Sequence, residues 1–316
     1  MSWRGRLLRL AAFAAGVALV AWLVRDAGPR RVLSAMDHAL AWFPILVLLE
    51  IVIVAADFWA SRALAGKSGA HANAAVWLRA TALAYASSIL LPAGRAAGEA
   101  TRAALLSPAV GLGHASGTCT RLQAAALFAN AIASTAIALT LALVAPPERI
   151  LAWALVANAV ACALGGLVLV LLLRNARFQA WLWRRFPRLL RARAPEAFSP
   201  ERPPFGFAVV LALFAQTVQT VQYGVVARAV GGALALRVAM TAQGIHLVGA
   251  LVGDAVPNQM GATEGAYRVF AHALGMEVPQ ALSIALVARA AQLVLACAGL
   301  GVGFLVARQP RDAVAR

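Results

Sequence analysis

Two stretches of the sequence place ionisable residues directly after a proline that interrupts an apolar run. In the first, Pro92 is followed by Gly94 and Gly98, and then by Glu99 and Arg102. Because proline removes a backbone donor and glycine loosens the chain, a membrane helix is predicted to end here, with charged groups following at membrane depth. Guanidinium groups at such a site can bind a phosphate through paired hydrogen bonds.

A second stretch, in the last quarter of the chain, has a similar arrangement with Pro257, Gly261, Glu264 and Arg268. In both stretches a glutamate stands seven residues after the proline, and an arginine stands three or four residues beyond the glutamate. Two interrupted helices with matching spacing predict an internal repeat.

An ionisable side chain inside an apolar span costs about 2.5–3.5 kcal/mol on insertion scales, so each one needs a partner or a cavity. The last span of each half brings an arginine, Arg121 or Arg289. We predict that Glu99 and Glu264 lie close together near the midplane, each within reach of one of these arginines. A cavity lined in this way would be polar and net positive, which suits an anionic group. The predicted substrate-binding residues are Glu50, Glu99, Arg102, Arg121, Glu264, Arg268 and Arg289, and the hairpin backbone positions are Pro92, Gly94, Gly98, Pro257 and Gly261.

These residues also have simpler interpretations. Arg102 and Arg268 could be interface anchors that extend toward the lipid headgroups. Glu50 could form a structural pair with Arg79 or Arg121. Glycines four residues apart also fit close packing between helices. A stripe of glutamines at helical spacing could line a pathway or join helices, and its members are Gln216, Gln219 and Gln222.

The composition is that of an integral membrane protein. Hydrophobic residues make up 62% of the 316 residues, charged residues only 13%, and the mean hydropathy is +0.78, which excludes an ordinary soluble domain. The net charge of +16 comes mostly from basic residues between apolar runs, a pattern typical of cytoplasmic loops rather than of nucleic-acid binding. Recognisable motifs for nucleotide, metal or hydrolase chemistry are absent from the sequence. We therefore expect no cofactor, no metal and no catalysis.

Eight apolar runs predict an all-α membrane protein. Arginines concentrate in residues 174–204, which we place in the cytoplasm together with both termini. We then counted the membrane crossings between these three cytoplasmic segments. The count requires the stretch around Pro92 to start and end on one side of the membrane, and the same holds for the stretch around Pro257, so each is predicted to be a re-entrant broken helix. The result is one polytopic domain, residues 1–316, with inverted halves at approximately 1–145 and 146–316, which is a transporter plan. The runs are residues 7–24, 40–60, 74–91, 123–144, 150–173, 205–230, 234–256 and 281–307.

The alternative is that the two prolines merely kink complete spans, which requires one of the three cytoplasmic assignments to be wrong. Residues 25–38 are the critical segment, because they carry Arg25, Arg30 and Arg31 on the side predicted to be outside.

The two interrupted stretches and the segment that follows the second one resemble the membrane domain of lysylphosphatidylglycerol synthases and of stand-alone flippase-like proteins that share it. The resemblance covers residues from about 50 to 307 and implies a lipid translocator. By motif position it matches Pro92, Gly94, Gly98, Glu99 and Arg102 to the first hairpin, Pro257, Gly261 and Glu264 to the second, and Arg289 to the last span.

The sequence departs from the family after the first hairpin, where Thr120, Arg121 and Ala124 stand in place of a Glu-Arg pair and a following Asp. The family's aminoacyl-transferase domain is not found either, so synthesis of aminoacyl lipid is not expected. We expect an inner-membrane protein that moves an anionic or zwitterionic lipid headgroup between leaflets, with anionic lipids at the basic loop 174–204. The alternatives are a polyprenyl-diphosphate phosphatase, although no serine-containing phosphate loop follows Pro92, or a non-transporting scaffold for a hopanoid or glycolipid pathway.

Overall fold

The computed structural model describes residues 3–69, 72–91, 94–144, 149–175, 204–253, 256 and 259–307. Within these ranges the chain forms helices and connecting turns and no strand. Two short 3-10 helices, Leu40–Trp42 and Ala271–Leu274, lie beside the longer ones. The α-helices are α1 (Trp3–Ala27), α2 (Pro29–Ala39), α3 (Phe43–Gly69), α4 (Ala74–Leu90), α5 (Gly94–Val110), α6 (Leu112–Val144), α7 (Arg149–Arg174), α8 (Phe205–Ala229), α9 (Leu236–Gly253), α10 (Ala262–Val269) and α11 (Val278–Ala307).

Six helical segments of the described chain are long and apolar enough to cross a membrane. A helix rises about 1.5 Å per residue, so about 20 residues cross the 30 Å hydrocarbon core. Large apolar side chains remain exposed along several of these helices, as at Ile150 and Trp153 on α7, where lipid can contact them. The predicted all-α membrane fold is therefore confirmed. The segments are Pro29–Lys67, Leu112–Leu143, Arg149–Arg174, Phe205–Ala229, Leu236–Gly253 and Val278–Leu305, and Ala74–Leu90 is a shorter apolar helix.

Helices α4 and α5 form the first helical hairpin. Helix α4 ends at Leu90, and Leu91 has an extended backbone. Pro92 itself lies outside the described residues. Helix α5 then runs back along α4, with the Thr101 hydroxyl donating to Ser87 Oγ at 3.1 Å. Gly98 allows the close approach, because a Cβ at this position would lie 2.6 Å from the carbonyl oxygen of Ala84.

Helices α9 and α10 form the second hairpin, which is shorter on its returning side. Helix α9 ends at Gly253, and α10 begins after Gly261, whose φ of 84° lies in the left-handed region that favours glycine. Pro257 lies outside the described residues. The returning helix is fixed by the buried Tyr267, whose hydroxyl donates to the carbonyl oxygen of Ala242 at 2.8 Å.

Each hairpin packs against at least one helix from the other half of the chain. A Cβ on Gly299 of α11 would lie 2.9 Å from the carbonyl oxygen of Ala82 on α4. A Cβ on Gly244 of α9 would lie 3.1 Å from Ile137 on α6 and from Leu155 on α7. The two hairpins are thus held in the middle of the bundle by helices distant in sequence. The inverted orientation of the halves remains a prediction, and the basic loop falls almost entirely outside the described residues.

Candidate functional site

A cavity of about 250 Å³ lies beside the first hairpin, and we call it the central cavity. Helices α3, α4 and α5 supply most of its wall. Helices α8, α9 and α11 and the turn of the second hairpin close it. It is polar for a cavity inside a membrane bundle, because ten of its lining residues carry polar side chains: Asp57, Tyr85, Ser88, Arg95, Glu99, Arg102, Gln219, His246, Gln259 and Gln292.

Four of these residues form an ion-pair network, which we call the cavity charge cluster: Asp57, Arg95, Glu99 and Arg102. Asp57 on α3 pairs with Arg95 at 2.8 Å and also with Arg102. Glu99 pairs with Arg102 Nε at 3.4 Å and with Arg95 Nε at 3.8 Å. Because the last three residues are three or four positions apart on α5, they share one helix face.

The cavity charge cluster contains two carboxylates and two guanidiniums, so its formal charge is zero. The prediction of a net positive cavity is therefore wrong for the described lining. It counted Arg121 and Arg289, which do not line the central cavity. The arginines that reach Glu99 come from its own helix.

Burial divides the cluster into an inner and an outer part. The side chain of Arg102 is 3% exposed and that of Glu99 is 11% exposed, whereas Asp57 is 23% and Arg95 is 42% exposed. Arg102 also lies 3.4 Å from the Thr81 hydroxyl. The interpretation of Arg102 as an interface anchor is wrong, because its guanidinium is buried among carboxylates. Arg95 is the member of the cluster most exposed to a ligand in the cavity, and Asp57 is the next most exposed.

The second hairpin contains a separate buried ion pair. Glu264 Oε1 lies 2.6 Å from Arg289 Nη1 on α11, and Glu264 Oε2 accepts a hydrogen bond from the backbone N–H of Gly261 at 2.8 Å. One carboxylate thus caps the first turn of α10 and joins this helix to α11. Glu264 is buried and does not line the central cavity.

Glu50 is held by neutral donors. The hydroxyl of Tyr85 donates to Glu50 Oε1 at 2.7 Å, and the Gln222 amide donates to Oε2 at 2.9 Å. Within the described part of the chain Glu50 forms no ion pair, so the alternative interpretation of a structural pair with Arg79 or Arg121 is wrong. Since Tyr85 also lines the central cavity, Glu50 lies one hydrogen bond behind the cavity wall.

Arg268 lies away from the central cavity and joins α10 to the first helix. Its guanidinium pairs with Asp26 at 2.7 Å and lies 5.0 Å from the ring of Trp22. Leu19 of the same helix contacts the second hairpin at Gly261. Helix α1 therefore covers the second hairpin, and Arg268 fixes this contact.

The glutamine stripe of α8 joins helices, as one of its two interpretations predicted. The Gln243 amide on α9 donates to Gln216 at 2.9 Å and to Gln219 at 3.1 Å, which joins two helices. Gln222 connects α8 to α3 through the backbone oxygen of Leu46. Gln219 also lines the central cavity.

Sequence reasoning assigned no role to Arg95 or Tyr85, although both contact a predicted acidic residue. Arg95 stands four residues before Glu99, a spacing that indicates an ion pair on one helix face. Tyr85 carried no such local signal, because its contact with Glu50 joins two helices. Groups of three or more His, Cys, Asp or Glu side chains that could hold a metal ion do not occur among the described residues.

These features define a polytopic helical membrane protein in which two helical hairpins lie at the centre of the bundle. The chain belongs to a family described as the lysylphosphatidylglycerol synthase TM region, which matches residues 8–299. The family match covers both hairpins and the central cavity. No curated protein and no solved structure gave a significant match to the chain.

Proposed function

We propose that this protein translocates a lipid headgroup between the leaflets of a membrane through the central cavity. The observation that carries the proposal is the cavity charge cluster, because ionisable residues that line a cavity within a membrane bundle are rare and mark substrate pathways. Membership of a lysylphosphatidylglycerol synthase membrane-region family supports a lipid-related function.

The geometry favours a zwitterionic headgroup over one with only negative charge. Arg95 is exposed to the cavity and pairs with Asp57 and Glu99. A headgroup phosphate can bind the guanidinium of Arg95, which then no longer pairs with a carboxylate of the cluster. A headgroup ammonium can pair with that carboxylate instead. Exchange of this kind keeps every buried charge paired, because Arg102 stays in place.

The proposal includes an orientation and a set of partners. We place the protein in the cytoplasmic inner membrane with both termini in the cytoplasm, and we propose that residues 174–204 contact anionic lipids of that leaflet. The membrane lipid itself is the substrate. The protein is not an enzyme in this scheme, and nucleic acid is not a partner.

Single-cysteine labelling tests the orientation. We expect Lys67→Cys and Leu112→Cys to react from the cytoplasmic side, and Leu234→Cys and Glu277→Cys to react from the outside, because the first hairpin is predicted to enter and leave on one side. All four side chains are exposed, which makes them suitable for an impermeant reagent. The three native cysteines are removed beforehand. Labelling of Lys67→Cys and Leu112→Cys from opposite sides would contradict the re-entrant hairpin.

Transport by purified protein in liposomes tests the function. Headgroup-labelled lipids are followed by their accessibility to an impermeant quencher, and wild-type protein is expected to exchange a zwitterionic phospholipid faster than empty liposomes do. We expect Arg95→Gln to reduce this rate at least ~10-fold, because one charge-assisted contact to phosphate is worth about 1.5–3 kcal/mol. Arg95→Lys keeps the charge but loses the planar fork, so it should be intermediate.

The matched control is Arg149→Gln, an exposed arginine at the start of α7 that does not line the cavity. This variant should transport at the wild-type rate. If no phospholipid, glycolipid or polyprenyl lipid exchanges faster than in empty liposomes, with or without an ion gradient, the translocator proposal fails. Release of phosphate from a polyprenyl diphosphate would instead identify an enzyme.

A further inference from the structure

A second, larger cavity lies at one end of the bundle, and we call it the end cavity. Its volume is about 750 Å³. Helix α2, the C-terminal end of α8 and the start of α11 form its wall. Its polar lining residues are Arg30, Arg31, Ser34, His38, Arg228, Glu277 and Gln280.

The end cavity is strongly basic, unlike the central cavity. Its lining contains three arginines and one carboxylate, that of Glu277. The guanidinium groups of Arg30, Arg31 and Arg228 form no ion pair and no hydrogen bond with another described residue, and all three side chains are exposed. Three guanidiniums share the cavity with a single carboxylate, so the lining has an excess of positive charge. An anionic ligand would stabilise it.

The positions of Arg30 and Arg31 are fixed by packing on the opposite face of α2. Val32 is buried, and its backbone oxygen accepts a hydrogen bond from the Ser283 hydroxyl of α11 at 3.3 Å. Residues 30, 31, 34, 35 and 38 therefore lie on one face of a helix that α11 holds in place. Gln280 of α11 lies in the same cavity, with its amide nitrogen near Gly231. The basic face is thus part of the folded structure and does not belong to a loose loop.

The surroundings of the end cavity indicate a lipid. Leu33 and Leu40 expose large apolar side chains on and beside α2, and Trp42 lines the cavity. Aromatic residues beside basic ones are typical of the membrane interface. The volume lies within the usual range of about 300–1,000 Å³ for small-molecule sites, so inorganic phosphate alone would occupy only a small part of it.

The end cavity lies about half a membrane thickness from the central cavity. Gln219 and Gln292 line the central cavity, and Arg228 and Gln280 line the end cavity on the same two helices. At about 1.5 Å per residue, the separation along these helices is about 14–18 Å, compared with a hydrocarbon core of about 30 Å. A headgroup in the central cavity is therefore near the midplane when a headgroup in the end cavity is near one surface.

We propose that the end cavity binds the phosphate group of a phospholipid headgroup in the outer leaflet, as a second station for the lipid that the central cavity handles. The membrane side follows the predicted orientation, and the link to transport rests on the proposed function. The site also explains why Arg30 and Arg31 occur on the side where the charge rule disfavours arginine. Their charge is retained because it binds a ligand.

Equilibrium binding to the purified full-length protein in detergent tests the site without requiring transport. The first probe is a short-chain phosphatidylglycerol, whose headgroup carries the phosphate but lacks the ammonium that the central cavity favours, so its binding reports on the end cavity. The other probes are a short-chain diacylglycerol without phosphate, and inorganic phosphate. We expect Arg31→Gln/Arg228→Gln to weaken binding of the phosphatidylglycerol at least ~10-fold, and Arg31→Lys/Arg228→Lys to weaken it less. The control Arg237→Gln removes an exposed arginine at the start of α9 that does not line the cavity, and it should bind as the wild type does.

Three results would overturn the inference: unchanged phosphatidylglycerol binding in Arg31→Gln/Arg228→Gln, equal binding of diacylglycerol, or inorganic phosphate binding as tightly as the phospholipid. The last of these would assign the cavity to a soluble anion. Arg95→Gln affects only the central cavity. This variant should therefore still bind phosphatidylglycerol at the end cavity, even if it transports no lipid. Failure of the translocator proposal and failure of the end cavity are thus separate results.

Discussion

Arg102→Gln is expected to lower the free energy of unfolding by about 3–5 kcal/mol, because it leaves buried carboxylates without their inner partner. Arg102 is the least exposed member of the cavity charge cluster, and it contacts both Asp57 and Glu99. Glutamine keeps hydrogen-bonding capacity but removes the charge. Unfolding in mixed micelles, followed by tryptophan fluorescence, measures the effect.

Arg95→Gln is the matched comparison, since it removes a guanidinium from the same cluster and the same helix. Its side chain is far more exposed than that of Arg102, so we expect a loss of at most ~1 kcal/mol. The double variant Asp57→Asn/Arg102→Gln should lose less stability than its two single variants lose together, because no charged partner is left unpaired by the second substitution. Equal losses for Arg95→Gln and Arg102→Gln would contradict the division of the cluster by burial.

Glu264→Ala is expected to destabilise the protein by about 3–5 kcal/mol, because it removes two contacts of the second hairpin at once. The carboxylate forms the ion pair with Arg289 and also caps α10 at the backbone N–H of Gly261. Glu264→Gln loses the ion pair but retains a cap acceptor, so it should be more stable than Glu264→Ala by about 1 kcal/mol. The same unfolding measurement ranks the variants.

Replacing both members of a buried ion pair costs less stability than removing only one of them. Glu264→Gln/Arg289→Gln should therefore recover part of the stability that Glu264→Gln loses. If the double variant instead loses more free energy of unfolding than the two single variants lose together, Glu264 and Arg289 do not stabilise the fold as a pair. The unfolding cooperativity of each variant shows whether the hairpin still folds with the rest of the bundle.

Most of the helices could be predicted from the sequence, because a membrane span depends on local composition. Each of the eight apolar runs overlaps a helix of the structure, and the two predicted interruptions separate α4 from α5 and α9 from α10. Both interruptions have a local signal in the sequence, namely a proline followed within four residues by a glycine. The inverted orientation of the two halves depends on which side of the membrane each loop occupies, and no single local sequence signal determines this.

The composition of the central cavity could be predicted only in part. Glu99 and Arg102 line it as expected from the first hairpin, and Glu264 contacts Arg289. Arg121 was expected near Glu99 on the basis of chain distance, but chain distance does not determine which face of α6 turns toward α5. Asp57 reaches the cluster from α3, and this contact depends on how two helices rotate about their axes. The end cavity depends on the same kind of helix packing.

The contact between α2 and α11 has a consequence for how the protein is made. Val32 and Ser283 are 251 residues apart in the chain, so at about 5–20 residues per second the ribosome needs about 10–50 s to supply the partner of Val32. During that time the first two helices must remain in the bilayer without the residues that later cover them. The wall of the end cavity is therefore completed only near the end of synthesis. A chain that stops before α11 would leave the arginines of α2 without their supporting helix, and quality-control proteases could recognise such a chain.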